Sequence, residues 1–589
     1  MFDLINICGI IIYGFGVRKY KNGGEKVAKK QKLKIIPLGG MNEIGKNLTV
    51  FEYGDEIVVL DCGMTFPDEE MLGVDLVIPD MSYLVNNRDK IKAVLLTHGH
   101  EDHIGGLPYF LRAMSNVPIF GSRMTIGLVE HKLKEHGILS IAKLNSVKAG
   151  DSIRLGNNFR AEFIRVNHSI ADSFGIALYT PAGVVVHTGD FKIDTTPIDG
   201  EMIDLARFGA LGDSGVLALL SDSTNVERQG YTMSERTVGQ KFDEIFASHP
   251  KQRIIVATFA SNVHRVQQII DAAIKTRRKV AISGRSMQNV VEVAIEHGYM
   301  RVPQGLIINI EDVHKYKNHQ LVIITTGSQG EPMSALTRMA FSDHKQVEIG
   351  NGDLVIISAS PIPGNEKTVS RVINELFKKG AEVIYKALAE VHVSGHACQE
   401  ELKIILGLVR PKYFIPAHGE YRHLATSAKL GIASGVKEKN TFIMGLGDVL
   451  ELNRESAAIT GTVTAGALLI DGYGVGDVGN VVLRDRKHLS EDGIIVVVMT
   501  LDKRGKITAG PEVVSRGFVY VKESEELMES LRQVATYAVE EAVRKNKKVA
   551  IDWIAIKNAV KGEITDFLHE ATKRKPMILP IIMEEGKQK

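Results

Sequence analysis

The sequence predicts an α/β protein, and three observations carry that reading. Short β-branched runs bounded by Gly-rich turns begin at Leu33, helical patterns separate them, and from about Val226 to Lys386 strands and helices alternate in a βαβ rhythm. In the first stretch, strands are expected at Leu33–Leu38, Leu48–Tyr53, Ile57–Asp61, Ala93–Thr97, Val184–His187 and Val216–Ser221, with a helix at Leu107–Met114. In the second, strands Ile254–Thr258, Lys279–Ile282, Leu321–Thr325 and Leu354–Ser358 alternate with helices Val263–Lys275 and Lys367–Lys379, which predicts a parallel sheet. Gly461–Gly479, with its turn signals DGYGVGDVG, reads as a linker. Beyond it, strands Ile494–Thr500 and Gly517–Val521 and a long helix Glu523–Asn546 predict a small α/β terminal domain.

Composition narrows the class. The 589 residues suffice for about four domains at about 150 residues each. A charged fraction of 24% argues against wholesale disorder. Cys8, Cys62 and Cys398 form no CxxC pair, which excludes a disulfide framework and a thiolate zinc ribbon and suits a reducing, cytoplasmic setting. The net charge of +2 says little about partners. No run reaches the roughly 18 apolar residues of a membrane span; Leu4–Val17 is short and holds Asn6. Arg18–Lys34 has eight Lys/Arg against one Glu25, so the first 31 residues read as a basic and apolar extension outside the folded domains.

The strongest chemistry lies in AVLLTHGHEDHIGGLP. An apolar strand stops at Thr97, and His98, His100, Asp102 and His103 follow within six residues. In extended chain His98 and His100 share a side, while Asp102 and His103 fall where the chain turns into a helix. One loop can therefore seed two adjacent metal ions, and imidazole with carboxylate suits Zn²⁺ or Mn²⁺. A lone His after a strand is ordinarily a polar loop residue, but three His and one Asp in six positions are not that pattern. Further candidates end later strands: His168 after Phe163–Asn167, Asp190 in GVVVHTGD, and His418 in KYFIPAHGE. His187 is expected to be a non-ligand on its strand.

In this order HGHEDH, NHS at Asn167–Ser169, HTGD at His187–Asp190 and PAHGE at Pro416–Glu420 resemble the metallo-β-lactamase superfamily. SDSTN at Ser221–Asn225 and VHVSGHA at Val391–Ala397 resemble motifs of its β-CASP group of nucleic-acid nucleases. IIPLGGMNEIGKN, LDCGMTFPDEEMLGVDLVIPD and SASPIPGNE resemble the ribonuclease J family, and the likeness runs from about Leu33 to the end. It implies an αββα sandwich (32–225 and 386–465) interrupted by a β-CASP domain (226–385), then a linker (466–490) and a C-terminal domain (491–589). It also implies two divalent ions, Zn²⁺ first and Mn²⁺ second, with His98, His100 and His168 on one, Asp102, His103 and His418 on the other, and Asp190 between them. His396 is then the candidate to protonate the departing 3′-oxygen or hold the scissile phosphate, and Asp222 to orient a ligating histidine. Asp222 could instead cap a turn.

Several features bear on the substrate. SASPIPGNE and TTGSQGEP are loops with exposed amides and hydroxyls for phosphate oxygens, and TFASNVHRVQQII puts His264 and Arg265 in the first turn of a helix, a possible phosphate clamp. The resemblance adds a pocket for a 5′-monophosphate lined by Ser360, His392, Ser394 and Gly395, with His396 beside it. It implies single-stranded RNA as partner, 5′→3′ exonuclease and endonuclease activity in RNA maturation and decay, a homodimer or homotetramer or a hetero-oligomer with a paralogue, and contact with other RNA-decay proteins. Arg544, Lys547, Lys548 and Arg574 read as solvated surface. The competing readings are a hydrolase of small esters, a DNA-directed β-CASP nuclease, and an RNA-binding scaffold without catalysis.

Overall fold

The computed structural model describes residues 31–328, 334–361, 365–385, 389–472, 474–518, 525–545 and 551–585. Outside them lie all but Gln31 of the N-terminal extension, the tip of TTGSQGEP, residues 362–364 of SASPIPGNE, and Lys547 and Lys548.

Two sheets face each other. In the first, eight strands run in the order Ala457–Thr462, Asp448–Leu452, Leu33–Gly39, Leu48–Tyr53, Glu56–Leu60, Ile91–Leu95, Pro118–Gly121, Lys143–Ser146. In the second, six follow the order Tyr413–Ala417, Val216–Asp222, Gly183–His187, Ser173–Thr180, Phe159–Val166, Ser152–Leu155. Side chains alternate across a strand, so Phe51, Val58, Leu60 and Leu95 of one sheet meet Phe163, Phe174, Leu178 and Ile415 of the other in a shared core. Helices cover both outer faces, Leu107–Ala113 and Arg123–Glu135 on one side, Leu205–Ser214 and Gln399–Val409 on the other. This is an αββα sandwich.

The insertion is a six-stranded, wholly parallel sheet in the order Ile307–Ile308, Lys279–Ser283, Leu321–Thr325, Arg253–Ala257, Asp353–Ile357, Glu382–Tyr385. Strands buried on both faces read as continuous apolar runs, as LVIIT and DLVII do. Its helix Arg285–Glu296 packs Met287, Val291 and Ala294 into the core that also holds Met124, Val129 and Leu133 of the sandwich. The insertion and the sandwich thus share apolar packing.

The segment read as a linker carries regular structure. Ala467–Asp471 pairs antiparallel with Leu76–Pro79, and Asn480–Asp492 is helical. Glycine-rich composition signalled turns, but the pairing partner lies some four hundred residues earlier, where no local pattern reaches. The C-terminal sheet has the order Ile507–Arg516, Ile494–Leu501, Met577–Glu584, and helices Glu525–Lys545 and Trp553–Thr572 cover one face through Leu531, Ala535, Ile564 and Leu568. Of the strand expected at Gly517–Val521, Gly517 and Phe518 form a bend after the ten-residue strand Ile507–Arg516, and residues 519–521 lie outside the described residues. Arg544 pairs with Glu541, and Arg574 donates to the Phe518 carbonyl.

Candidate metal centre

Parallel pairing brings strand ends, and the polar residues just past them, to one rim of the sandwich. Leu60 lies opposite Leu95, so Asp61 and Thr97 emerge together. The Thr97 N–H donates to Asp61 Oδ1 at 2.8 Å, and the Thr97 hydroxyl donates to Asp61 Oδ2 at 2.9 Å. Asp61 holds φ +59°, a left-handed conformation that costs energy for a side chain with a Cβ and clusters at functional sites. His98 and His100 follow, and a single helical turn, Glu101–Ile104, carries Asp102 and His103. That turn approaches the chain after Asp61 so closely that a Cβ on Gly63 would stand 1.6 Å from the Asp102 carbonyl oxygen. In the second sheet Asp222 lies opposite Ala417, which sets His418 beside it, and a bridge between Asn167 and Lys192 draws His168 toward Asp190.

Two groups of ligand-type atoms result. His98, His100 and His168 form one; Asp102, His103, Asp190 and His418 form the other; Asp190 and His418 also gather with Asp222 and His396, and within each gathering the atoms lie within 4.8 Å of one another. His100 Nδ1 is 3.0 Å from His98 Nε2 and 3.1 Å from His168 Nε2. Asp190 Oδ2 lies 3.3 Å from His103 Nε2, 3.8 Å from His168 Nε2 and 3.9 Å from His98 Nε2, a position between the groups. His418 Nε2 is 3.2 Å from Asp102 Oδ2.

The outer nitrogens decide which inner atoms carry lone pairs. His103 Nδ1–H donates to Asp61 Oδ2 at 2.8 Å, and His98 Nδ1–H to the Thr97 hydroxyl at 3.0 Å, since that hydroxyl's proton is spent on Asp61. His168 Nδ1–H donates to the Gly395 carbonyl at 2.8 Å. His418 Nδ1–H donates to Thr224 Oγ1 at 2.7 Å, which donates in turn to Asp222 Oδ1 at 2.7 Å. In their neutral form these four imidazoles therefore turn Nε2 lone pairs inward, the tautomer metal ligation needs. Metal–nitrogen bonds of about 2.0–2.1 Å place neighbouring ligands about 3 Å apart. The donor set fits a divalent cation on chemistry and spacing.

The two groups differ electrostatically. Burial pushes His98 and His168 well below the ordinary imidazole value and His100 to about 4, so this trio is neutral. Burial acts the same way on His103 and His418, but Asp190 and Asp102 outweigh it, holding His103 well above the ordinary value and His418 up to about 10. Burial would raise the carboxyls of Asp102 and Asp190; the imidazoles of His103 and His418 hold both well below the carboxylate range instead. In this half protons on His103 and His418 balance two buried carboxylates, and a cation that displaces those protons takes over the balance.

Asp222 serves two histidines: besides the Thr224 link, its Oδ2 accepts from His396 Nδ1 at 2.8 Å. Burial lowers and Asp222 raises the affinity of His396 for a proton, and the balance is upward. Asp222 is itself held below its ordinary value against burial, chiefly by His396. His396 stands in the segment that Gly395 anchors to His168, where a Cβ on Gly395 would lie 2.7 Å from that ring. Ser394 Oγ accepts from Asn225 Nδ2 at 2.7 Å. Ser360 is half-buried just past the strand Asp353–Ile357, and His392 Nδ1 lies 2.7 Å from an Arg265 nitrogen. His264 is 3.8 Å from an Asp199 carboxylate oxygen. His187 accepts from the Gly189 N–H and stands outside both groups.

Arg265 is a correction. Expected as a phosphate clamp, it is wholly buried and forks onto Glu235 at 2.7 and 2.8 Å, because its position in the first turn faces the core side of an amphipathic helix. Sequence reasoning also missed Asp61, Thr97 and Thr224. An acidic residue ending an apolar strand in VLDCGM was the available signal for Asp61; the two hydroxyls offered none.

Four family models match the chain: Metallo-beta-lactamase superfamily over residues 42–136, Ribonuclease J, beta-CASP domain over 251–376, Zn-dependent metallo-hydrolase RNA specificity domain over 380–444, and Ribonuclease J C-terminal domain over 481–585. Ribonuclease J2 of Bacillus subtilis is 46% identical over 95% of this chain and 100% of its own length. Ribonuclease J of Thermus thermophilus is 46% identical over 95% of this chain and 97% of its own. A crystal structure of a protein of unknown function from Enterococcus faecalis shares the fold at TM-score 0.52 and 17% identity, covering 72% of this chain and all of that one. Among the described residues no helix is long and apolar enough to cross a membrane.

Proposed function

The chain belongs to the ribonuclease J family, and we propose that it is a metal-dependent ribonuclease that trims RNA 5′→3′ from a 5′-monophosphate end and also cuts internally, in cytoplasmic RNA maturation and decay. The observation that carries this is the convergence of seven ligand-type residues with their tautomers set from behind. His98, His100 and His168 would hold one divalent ion and Asp102, His103 and His418 a second, with Asp190 placed between the two groups. Bound Zn²⁺, or Mn²⁺, supplies Lewis acidity toward a phosphoryl oxygen and makes a water acidic enough to attack near neutral pH. His396, oriented by Asp222 and raised in proton affinity, gives a proton to the departing 3′-oxygen.

Ser360, His392, Ser394 and Gly395 receive the 5′-phosphate. His392 and His396 lie four positions apart, a reach of at most about 14 Å, so a phosphate held at His392 sets a short fixed distance to the cut. An internal cut uses the same rim without the end pocket.

The test uses matched RNAs with 5′-monophosphate, 5′-triphosphate or 5′-hydroxyl ends, and a single-stranded DNA of the same sequence, with the chain and its Asp102→Ala/His103→Ala variant, after chelation and after return of Zn²⁺ or Mn²⁺. Metal-dependent release of mononucleotides from the 5′-monophosphate RNA, lost in the variant, is the expected result. RNA bound but uncut under every metal would favour the scaffold, and equal cutting of DNA would remove the preference for RNA.

A further inference from the structure

Arg265, on the helix Val263–Lys275, has no exposed surface. A guanidinium offers five N–H donors, accepts nothing and keeps its proton. All five donors are engaged. Nε–H meets Glu235 Oε1 at 2.7 Å; Nη2 meets Glu235 Oε2 at 2.8 Å and the Val393 carbonyl at 3.4 Å; Nη1 meets the Ser358 carbonyl at 3.0 Å and His392 Nδ1 at 2.7 Å. Glu235 is pinned as well: its N–H donates to Asp194 Oδ2 at 3.0 Å, and its carbonyl accepts from Gln268 at 2.9 Å.

Because Arg265 can only donate, His392 Nδ1 can only accept, and the ring proton resides on Nε2. A proton on Nδ1 would set two N–H groups against each other beside a fixed positive charge. The same guanidinium ties Ser358, two residues before Ser360, to Val393, one residue before Ser394. Both walls of the pocket hang on one side chain.

We infer that Arg265, clamped by Glu235, is the positioning residue of the end pocket: it fixes His392 as a neutral Nε2–H donor and so selects a dianionic terminal phosphate. This rests on the reading of Ser360, His392 and Ser394 as the 5′-phosphate pocket. Arg265 touches His392 directly, Glu235 stands behind Arg265, and the Phe259 ring lies 6.3 Å from the imidazole. A terminal phosphate ester takes its second negative charge near pH 6. With a neutral donor, preference for the monophosphate holds or rises between pH 6 and pH 8; an imidazolium would lose it over the same interval.

The experiment measures kcat/KM of the metal-loaded full chain on 5′-monophosphate and 5′-hydroxyl RNAs at pH 6, 7 and 8, so that titration of the metal centre cancels in the ratio. Variants are His392→Ala, His392→Gln, Arg265→Lys and Arg265→Lys/His392→Gln. His392→Ala is expected to cut the preference about tenfold or more. Arg265→Lys keeps the charge but not the fork, and lowers the preference several-fold, through KM for the monophosphate RNA. His392→Gln supplies an amide donor that needs no tautomer, so Arg265→Lys costs less preference in the His392→Gln background than in the unaltered chain, whereas a merely structural arginine would cost the same in both. If Arg265→Lys does not fold, the pH series on the unaltered chain still decides: a tenfold fall in preference from pH 6 to pH 8 overturns the inference. An intact preference in His392→Ala overturns the pocket reading and this inference with it. Loss in His392→Ala with no effect of Arg265→Lys overturns the inference alone.

Discussion

The two halves of the candidate metal centre use the same residue type under opposite electrostatic conditions. His98, His100 and His168 gather three imidazoles that burial holds neutral. Asp102, His103, Asp190 and His418 gather carboxylates with imidazoles drawn toward positive charge. One half offers lone pairs and little charge, the other offers charge that must be compensated. Affinity for a cation therefore has different sources in the two: geometry in the first, Coulomb attraction in the second.

The widest break comes at Asp190, whose Oδ2 reaches toward both halves. Asp190→Ala is expected to lower RNA cleavage by on the order of 10³-fold and to strip bound metal from both halves, read by elemental analysis. A variant that still holds two ions would remove Asp190 from its place between them. Next is a chelator titration of the intact chain. The ion of the neutral trio should leave first, with about tenfold weaker binding than the carboxylate-rich half; the reverse order, followed with His168→Ala and His418→Ala variants as markers, would sink the electrostatic contrast.

Finer resolution comes from the groups behind the ligands. Asp61→Asn alters the hold on His103 and, through Thr97, on His98, so it reaches both halves; Thr224→Val reaches His418 alone. Each is expected to cost about 10–100-fold in metal affinity or activity, Asp61→Asn the more. Equal effects on both ions from Thr224→Val would contradict the separation.

The smallest effect supplies a control outside the centre. Burial would raise the Glu162 carboxyl, yet the Arg207 fork and the Tyr179 hydroxyl hold it below the ordinary range. A lowered folded value means stability that is fully present above the unfolded value and lost as pH falls through the folded one. Glu162→Gln should cost about 1 kcal/mol at neutral pH and nothing in strong acid, by denaturant melts, with both metals retained. Loss of metal in this variant would mean that the rim is not independent of the sheet's far end.

Much of the centre was legible because ligand chemistry needs particular residue types at strand ends. His98, His100, Asp102 and His103 fall within six residues, so their common location follows from chain geometry alone. The α/β class and most strand positions were legible for a similar reason, since period and apolar runs are local; Leu48–Tyr53, Leu321–Thr325 and Val263–Lys275 match their observed bounds. Other features depend on partners distant in sequence. Which nitrogen of His168 faces inward is decided by the carbonyl of Gly395, and the strand Ala467–Asp471 exists because Leu76–Pro79 lies beside it. Arg265 is charged in any reading of the chain, but only the fold surrounds it with Glu235, Ser358 and His392 and turns a surface cation into a buried anchor. Local sequence determines which groups are present and how they repeat; tertiary packing decides which lone pairs, protons and charges face one another, because those interactions act through space across hundreds of residues.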